Sequence, residues 1–332
     1  MFDKSILPVE KVACRVISIG NLTVGGSGKT PTVLMVSKLL KETGTKVGVL
    51  SRGYKRSSKG YLLVSDGKNI FANVDDAGDE ILLIAKENKI PAAVCEKRVI
   101  GAGKFLNDVN LDVIILDDAY QHRWLYRDLD ILLIDQRFLH KVNSLEQSLL
   151  PLGNMREPFS SISRADLIII NTKFSDKQPV PSQLLPFFEN KNVVWANYVP
   201  AGILDVKNEE IFTLKDFEGL KGLVVSGIAR PYSFLKILED NNIDISNKIL
   251  FKDHKNYDLN DVNDIRKKFY DTNSHFIITT QKDAIKLSKF SVELDDVDIY
   301  YLKIEMIIED QNFEKILINT LNNNKNNNGM LN

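Results

Sequence analysis

The sequence predicts an α/β fold, a doubly wound and mostly parallel sheet with a second, smaller α/β domain. Apolar runs at 16–19, 47–50, 92–95, 113–116, 131–134 and 167–170 are separated by helix-length segments. The runs are continuous rather than alternating, as in strands buried on both faces of a parallel sheet. The first stops at a glycine-rich turn that leads directly into a helical pattern.

That turn is the most informative segment. Val16-Ile17-Ser18-Ile19 supplies the strand, and Gly20-Asn21-Leu22-Thr23-Val24-Gly25-Gly26-Ser27-Gly28-Lys29-Thr30 follows it. Glycines let backbone N–H groups converge on a polyphosphate without interference from Cβ atoms. The next helix then begins with its positive dipole end toward the anion. Thr23, Val24, Gly25, Gly26, Ser27, Gly28, Lys29 and Thr30 are therefore the expected phosphate cradle. Lys29 would reach the β- and γ-phosphates of ATP, and the Thr30 hydroxyl would sit on Mg2+. The strict spacing has glycine where this chain has Thr23. The expected sheet is of P-loop NTPase type.

The other elements follow in order. Val33, Val36, Leu39 and Leu40 form a helical stripe within 32–43. The strand at 47–50 ends in Ser51-Arg52-Gly53-Tyr54-Lys55-Arg56, a basic loop. Ligands of such sheets gather outside the carboxyl ends of the strands, so the residues just after each run outweigh those within it. Between about 188 and 219 the pattern loosens, with Pro200, Gly202 and the alternating Glu210-Ile211-Phe212-Thr213-Leu214, which suits a hairpin. Strand-like 222–226 and 276–279 then flank helical 232–239 and 259–269. The expected division is a kinase-like core at 1–190, a linker with a hairpin at 191–219, a smaller α/β domain at 220–320 and a frayed Asn-rich tail at 321–332.

Composition narrows the function. With 332 residues the chain can bury a large core, and a formal net charge of -1 provides no global field for nucleic acid. Any anionic ligand must be held by local groups. Cys14 and Cys95 each sit inside an apolar run, against a disulfide framework or thiolate metal site and in keeping with a reducing cytoplasm. No apolar run approaches the roughly 18 residues of a spanning helix, and the start lacks the layout of a signal peptide. A soluble or peripheral protein is expected.

Asp117 and Asp118 close the run at 113–116 and precede Ala119-Tyr120-Gln121-His122. An apolar strand ending in aspartate is the Walker B arrangement, placing a carboxylate where it can hold Mg2+ directly or through water. A turn or helix cap is the alternative. Two adjacent carboxylates repel unless a cation lies between them, which favours the metal. His122 reads equally as a hydrogen-bonding core histidine or a functional one. Gly78-Asp79-Glu80 opens a helical segment and by itself reads as a cap with acidic first-turn residues. His254, in a polar loop, reads by itself as an ordinary loop histidine. Arg156, beside Glu157, offers a guanidinium suited to phosphate oxygens, with a solvated surface pair as the other reading.

Taken together these segments resemble the tetraacyldisaccharide 4'-kinases of lipid A biosynthesis. The resemblance runs from Gly20-Asn21-Leu22-Thr23-Val24-Gly25-Gly26-Ser27-Gly28-Lys29-Thr30-Pro31 through Ser51-Arg52-Gly53-Tyr54, Gly78-Asp79-Glu80 and Glu96-Lys97-Arg98-Val99. It continues in Leu116-Asp117-Asp118-Ala119-Tyr120-Gln121-His122 and Leu150-Pro151-Leu152-Gly153-Asn154-Met155-Arg156-Glu157-Pro158. The smaller domain adds Ser226-Gly227-Ile228-Ala229-Arg230-Pro231, Phe251-Lys252-Asp253-His254 and Thr279-Thr280-Gln281-Lys282-Asp283-Ala284. Any one of these is weak, whereas nine in the same order are highly specific. The non-glycine at Thr23 is itself a mark of the family.

The resemblance implies transfer of the γ-phosphoryl group of ATP to the 4'-hydroxyl of a tetraacylated glucosamine disaccharide 1-phosphate, giving a lipid IVA-type product. It implies a peripheral enzyme at the cytoplasmic face of the inner membrane, with the lipid A precursor and the membrane surface as partners and no obligate protein partner. The positions matching the family's base are Asp79 and His254, which overturns the local reading of both. A carboxylate hydrogen-bonded to imidazole can accept a proton as the hydroxyl attacks. Because the two fall in different expected domains, the base would be assembled when the domains approach. The nucleotide set gains Arg156, and the metal set is Thr30, Asp117, Asp118 and Glu157. Asn21, Ser51, Arg52, Glu80, Arg98, Gln121 and His122 are candidates for contact with the acceptor.

One departure concerns the start. Family members usually carry an apolar or amphipathic N-terminal segment that seats the enzyme on the membrane, and here only residues 1–11 precede the first strand. A truncated chain, a missed upstream start and membrane contact through other surfaces are the expected explanations. Arg52, Lys55, Arg56 and Lys59 form a basic cluster that could meet anionic lipid, at about 1 kcal/mol for each charge near the surface. A solvated loop is the competing reading. Two other functions stay open: a P-loop kinase with another small-molecule acceptor, and a regulatory P-loop ATPase that switches a partner interaction.

Overall fold

The computed structural model describes residues 8–228, 231–252 and 255–322. The chain forms two compact units, one comprising the residues up to Tyr198 with those from Met306 on, the other Val199–Glu305.

The first unit is built from β1 (Arg15–Asn21), α1 (Lys29–Glu42), β2 (Val47–Ser51), β3 (Leu62–Asp66), α2 (Val74–Ala77), α3 (Asp79–Asn88), β4 (Pro91–Val94), α4 (Arg98–Asp108), β5 (Val113–Asp117), β6 (Leu129–Asp135), α5 (Gln136–Leu139), β7 (Leu167–Lys173) and the first part of β8 (Asn192–Asp205). Its strands lie in the order β8-β7-β6-β1-β5-β2-β4-β3. All are parallel except β3, which runs antiparallel to β4 at the edge. The expected α/β architecture is thus present.

Continuous apolar strands do what their composition requires. Val113, Ile114, Ile115 and Leu116 of β5 are all 0% exposed, and full burial of each such side chain contributes roughly 1.5–3 kcal/mol. One core packs Val16, Leu50, Ala93 and Leu116 against Ala102 and Phe105 of α4. A second packs Leu132, Ile134, Ile168 and Ile170 with Phe138, Leu139 and Ile162. β1 lies between β5 and β6, with Ile19 in register with both Asp117 and Ile131. The turn after β1 and the aspartates after β5 therefore emerge side by side at the carboxyl edge of the sheet, where ligands of such folds bind.

The second unit continues with β9 (Ile211–Phe212), β10 (Lys221–Ser226), α6 (Tyr232–Asp240), β11 (Asp244–Leu250), α7 (Leu259–Asp271), β12 (Phe276–Thr280), α8 (Gln281–Leu287) and β13 (Ile299–Ile307); α9 (Gln311–Asn322) belongs with the first unit. Strands β11, β10, β12 and β13 are parallel and adjacent in that order. β9 pairs antiparallel with Ile203 and Leu204 of β8. Leu223, Val225, Ile277 and Ile299 meet Val262, Ile265 and Phe269 of α7 to form this unit's core. Asp258 caps α7 by accepting from the Asp261 N–H at 2.9 Å, while Asp261 reaches back to the Asp258 N–H.

Candidate active site

The turn between β1 and α1 has the form its glycines predicted. Gly25 and Gly28 take φ of 102° and 104°, the left-handed side that glycine alone enters freely. A Cβ on Gly28 would stand 2.3 Å from Tyr198 Oη and 2.4 Å from Asn171 Nδ2. Gly20 is needed for another reason, since a Cβ there would meet the backbone of Tyr120 at 2.7 Å. α1 begins on Gly28 with no side-chain cap and no acidic residue in its first turn. Its first N–H groups and its positive dipole end remain available to an anion.

Side chains hold this loop in shape. Asn21 Nδ2 donates to Ser27 Oγ at 2.8 Å, and Lys29 Nζ reaches Asn21 Oδ1 at 3.5 Å. Asn171 Nδ2 donates to the Ser27 carbonyl at 3.0 Å, and Lys173 Nζ to the Gly26 carbonyl at 2.7 Å. The Val24 N–H is bound by the Asn154 carbonyl at 2.8 Å, and the Arg156 N–H donates to Leu22 at 2.6 Å. The segment carrying Arg156 is thereby pinned to the phosphate loop.

Asp117 and Asp118 stand beside it in contrasting environments. Asp117 is 2% exposed and accepts a 2.9 Å hydrogen bond from Ser51 Oγ. Burial, then the charges of Glu80 and Asp118, raise its pKa to about 6. Asp118, at a φ of 48°, lies 3.6 Å from Lys29 Nζ and 2.8 Å from an Arg156 nitrogen. Burial opposes its charge, but Lys29 and Arg156 outweigh that and lower its pKa. Two consecutive carboxylates, one destabilised by like charge, with the Thr30 hydroxyl next to Lys29, are the oxygen donors Mg2+ prefers. Among the described residues no group of three or more His, Cys, Asp or Glu forms a metal cage. Mg2+ held by one or two carboxylates and substrate phosphates needs none.

The other candidates are placed as follows. Arg98 is 4% exposed, with its guanidinium on the Glu96 carbonyl at 3.1 Å and the Asp118 carbonyl at 3.5 Å. Burial lowers its pKa against the pull of Asp117 and Asp118, and Arg52 is close enough to lower it further. Gln121 Nε2 donates to the Asn21 carbonyl at 2.9 Å. His122 carries a buried Nδ1 without a hydrogen-bond partner, and burial, then Arg98, lower its pKa. Asp79 is 8% exposed at the start of α3 and accepts from the Glu80 N–H at 3.0 Å. Glu157 is held by Arg164. Of the basic cluster, Arg56 is drawn inward onto Glu96 at 2.6 Å. His254 lies outside the described residues, as do its neighbour Asp253 and the pair Ala229 and Arg230.

A family model described as tetraacyldisaccharide-1-P 4'-kinase (LpxK) matches residues 1–322. The chain belongs to the tetraacyldisaccharide 4'-kinase family. Similar curated members include the tetraacyldisaccharide 4'-kinase of Pelobacter propionicus, 35% identical over 319 residues that cover 93% of this chain and 84% of the relative. That of Chlorobium luteolum is 37% identical over 300 residues, covering 86% and 81%. Among solved structures, an "apo" form of LpxK from Aquifex aeolicus in complex with ATP superposes with a TM-score of 0.76 at 31% identity, over 96% of this chain and 92% of that one.

In this member of the tetraacyldisaccharide 4'-kinase family, four residues beyond the motifs support the phosphate loop: Asn171, Lys173, Tyr198 and Asp135. Lys173 bridges the Gly26 carbonyl and Asp135 Oδ2, both at 2.7 Å. Asn171 joins the Ser27 carbonyl to Tyr198 Oη at 2.9 Å. Asn171, Lys173 and Asp135 stand at strand ends, the positions where a parallel sheet gathers its functional groups. The run at 167–170, followed by polar Asn171-Thr172-Lys173, carried that signal.

Proposed function

We propose that the protein transfers the γ-phosphoryl group of ATP to the 4'-hydroxyl of a tetraacylated glucosamine disaccharide 1-phosphate, giving a lipid IVA-type product. The observation that carries this is the convergence of Lys29, Arg156 and Asp118 at the phosphate loop of a chain matched by the kinase family over 1–322. Lys29 and those backbone N–H groups of Thr23–Gly28 that the loop's own hydrogen bonds at Val24 and Ser27 leave open bind the polyphosphate, and Arg156 adds a second cation to the transferring group. Thr30, Asp117 and Asp118 are the residues that would hold Mg2+, with Glu157 as a further candidate. Bound there, the ion would offset charge on the phosphate oxygens.

Asp79 is the proposed base together with His254. Its carboxylate is nearly buried and fixed at the first turn of α3, where it can orient an imidazole and stabilise the imidazolium that forms as the sugar hydroxyl loses its proton. Asn21, Ser51, Arg52, Glu80, Arg98, Gln121 and His122 are proposed to meet the acceptor. The buried cation of Arg98 suits an anionic or hydroxyl-rich head group.

The reading includes peripheral association with the cytoplasmic face of the inner membrane. No helix among the described residues is long and apolar enough to cross a bilayer. Leu149, Leu150 and Leu152 are 48%, 49% and 81% exposed on the segment that also carries Arg156, so apolar side chains are available to a lipid surface. The competing reading is a nucleotide switch, and the dependence of ATP turnover on acceptor separates the two. A kinase hydrolyses little ATP until the tetraacyl disaccharide 1-phosphate is added in mixed micelles, whereas a switch turns over without it.

A further inference from the structure

Arg156 reaches Asp118 from a segment that is fastened on both sides. Before it, Met155 pairs with Thr23 across an antiparallel bridge, and the Arg156 N–H donates to the Leu22 carbonyl at 2.6 Å. After it, the Glu157 carboxylate is held by Arg164, the last residue of a 3-10 helix, Phe159–Arg164. The side chains of Glu157 and Arg164 are 21% and 18% exposed. Salt therefore screens this pair less than it would a pair on the open surface.

Arg164 in turn rests on an aromatic ring. Its guanidinium lies over Tyr120, 4.7 Å from the ring centroid, and its Nε is buried without a hydrogen-bond partner. A planar guanidinium stacks on an aromatic face and is attracted by its quadrupole, a fit that lysine does not reproduce. Tyr120 is 0% exposed, and its Oη donates to the Ser161 carbonyl of the same 3-10 helix at 2.6 Å. Burial raises its pKa, so the ring stays a neutral phenol. Its backbone nitrogen and Cβ lie 2.7 Å from where a Cβ on Gly20 would stand, at the entrance to the phosphate loop. Leu22, Met155 and Ile162 share its core. One buried ring thus joins the phosphate loop, the turn after Asp118 and the helix that follows Glu157.

We propose that Arg164, seated on Tyr120, is a positioning residue for the phosphoryl transfer, its grip on Glu157 fixing the chain so that the adjacent Arg156 guanidinium meets the transferring group. The Arg156 side chain is long and 29% exposed, so its direction depends on where the backbone starts it. A misplacement of about 1 Å can cost roughly 100-fold in rate. Arg164 touches no reacting atom and acts through Glu157 and the backbone between them. This inference rests on the reading of Arg156 as the second cation on the transferring group.

The test is a double-mutant cycle in the full-length enzyme with Arg164→Gln and Arg156→Gln, measuring kcat and KM for ATP and for acceptor in mixed micelles at saturating Mg2+. A thermal melt verifies each fold. The expected result is a kcat about ten-fold lower in Arg164→Gln with both KM values unchanged, and no additional loss when Arg164→Gln is added to Arg156→Gln. Arg164→Lys keeps a cation beside Glu157 without the flat contact on Tyr120, and is expected to lose about three-fold in the same pattern. It carries the test if Arg164→Gln does not fold. An equal loss in both backgrounds means a structural role and overturns the proposal. So does full activity of Arg164→Gln in an enzyme that Arg156→Gln impairs, and there the reading of Arg156 survives. Full activity of Arg156→Gln overturns that reading and the brace together.

Discussion

Lys29 Nζ stands 3.6 Å from Asp118 Oδ1, and an Arg156 nitrogen approaches the same oxygen at 2.8 Å. The two cations proposed to serve the phosphates thus share one carboxylate oxygen. Pairing preserves their geometry without leaving a buried charge alone.

Lys29→Ala removes the point charge proposed to meet the β- and γ-phosphates. A loss of kcat of about 100-fold or more is expected, the scale for a preorganised charge at a developing anion. Steady-state ATP turnover with acceptor present measures it, and retained turnover contradicts the phosphate-loop assignment.

Gly28→Ala tests the shape of the loop rather than its charge. The added methyl group meets Tyr198 Oη and Asn171 Nδ2 at 2.3 and 2.4 Å, at a φ of 104°. Left-handed strain alone costs about 1 kcal/mol, and the clash adds to it. Nucleotide affinity should fall at least ten-fold in a titration with a fluorescent ATP analogue, while Gly44→Ala, whose Cβ would meet nothing within 4 Å, leaves it unchanged.

Ser51→Ala deprives buried Asp117 of the hydrogen bond at 2.9 Å that stabilises its charged form. Its pKa should then rise further, and the apparent Mg2+ requirement should increase about ten-fold or more, in line with the roughly 1.5–3 kcal/mol of a hydrogen bond to a charged group. An activity titration with Mg2+ at constant ATP reads the change.

Asp130 carries a prediction about stability. It is 8% exposed, paired with Arg127 at 3.1 Å, and burial raises its pKa to about 6. The folded state therefore holds this proton more tightly than the unfolded chain. Its contribution is fully present below about pH 4 and lost as pH rises through 6, a change of about 3 kcal/mol. Urea unfolding from pH 4 to 7 should show that decline in wild type relative to Asp130→Asn, and parallel pH profiles would exclude it.

How much of this was legible in the sequence depends on how local each signal is. The phosphate loop was legible because glycine spacing, strand and helix lie within 30 residues of one another. Asp117 and Asp118 were legible because an apolar strand that runs into two carboxylates has reached the edge of its sheet, and β5 takes in only the first of them. The antiparallel direction of β3 was not, since the run Tyr61-Leu62-Leu63-Val64 is as apolar as those of the parallel strands and nothing in it marks a direction. The contact of Thr32 Oγ1 with Met306 Sδ at 3.3 Å has no local signature either. Asp79 alone reads as an ordinary first-turn carboxylate. Only its burial, and the effect of neighbouring Glu80 on Asp117, place this turn beside the aspartates.

The most direct measurement is transfer of label from γ-labelled ATP to a tetraacyl disaccharide 1-phosphate in mixed micelles, comparing wild type with Asp79→Ala. Labelled lipid formed by the wild type and reduced about 100-fold or more in the variant, with ATP affinity unchanged, is the predicted result. ATP hydrolysis without labelled lipid would contradict the acceptor, and equal labelling by the variant would contradict Asp79 as part of the base.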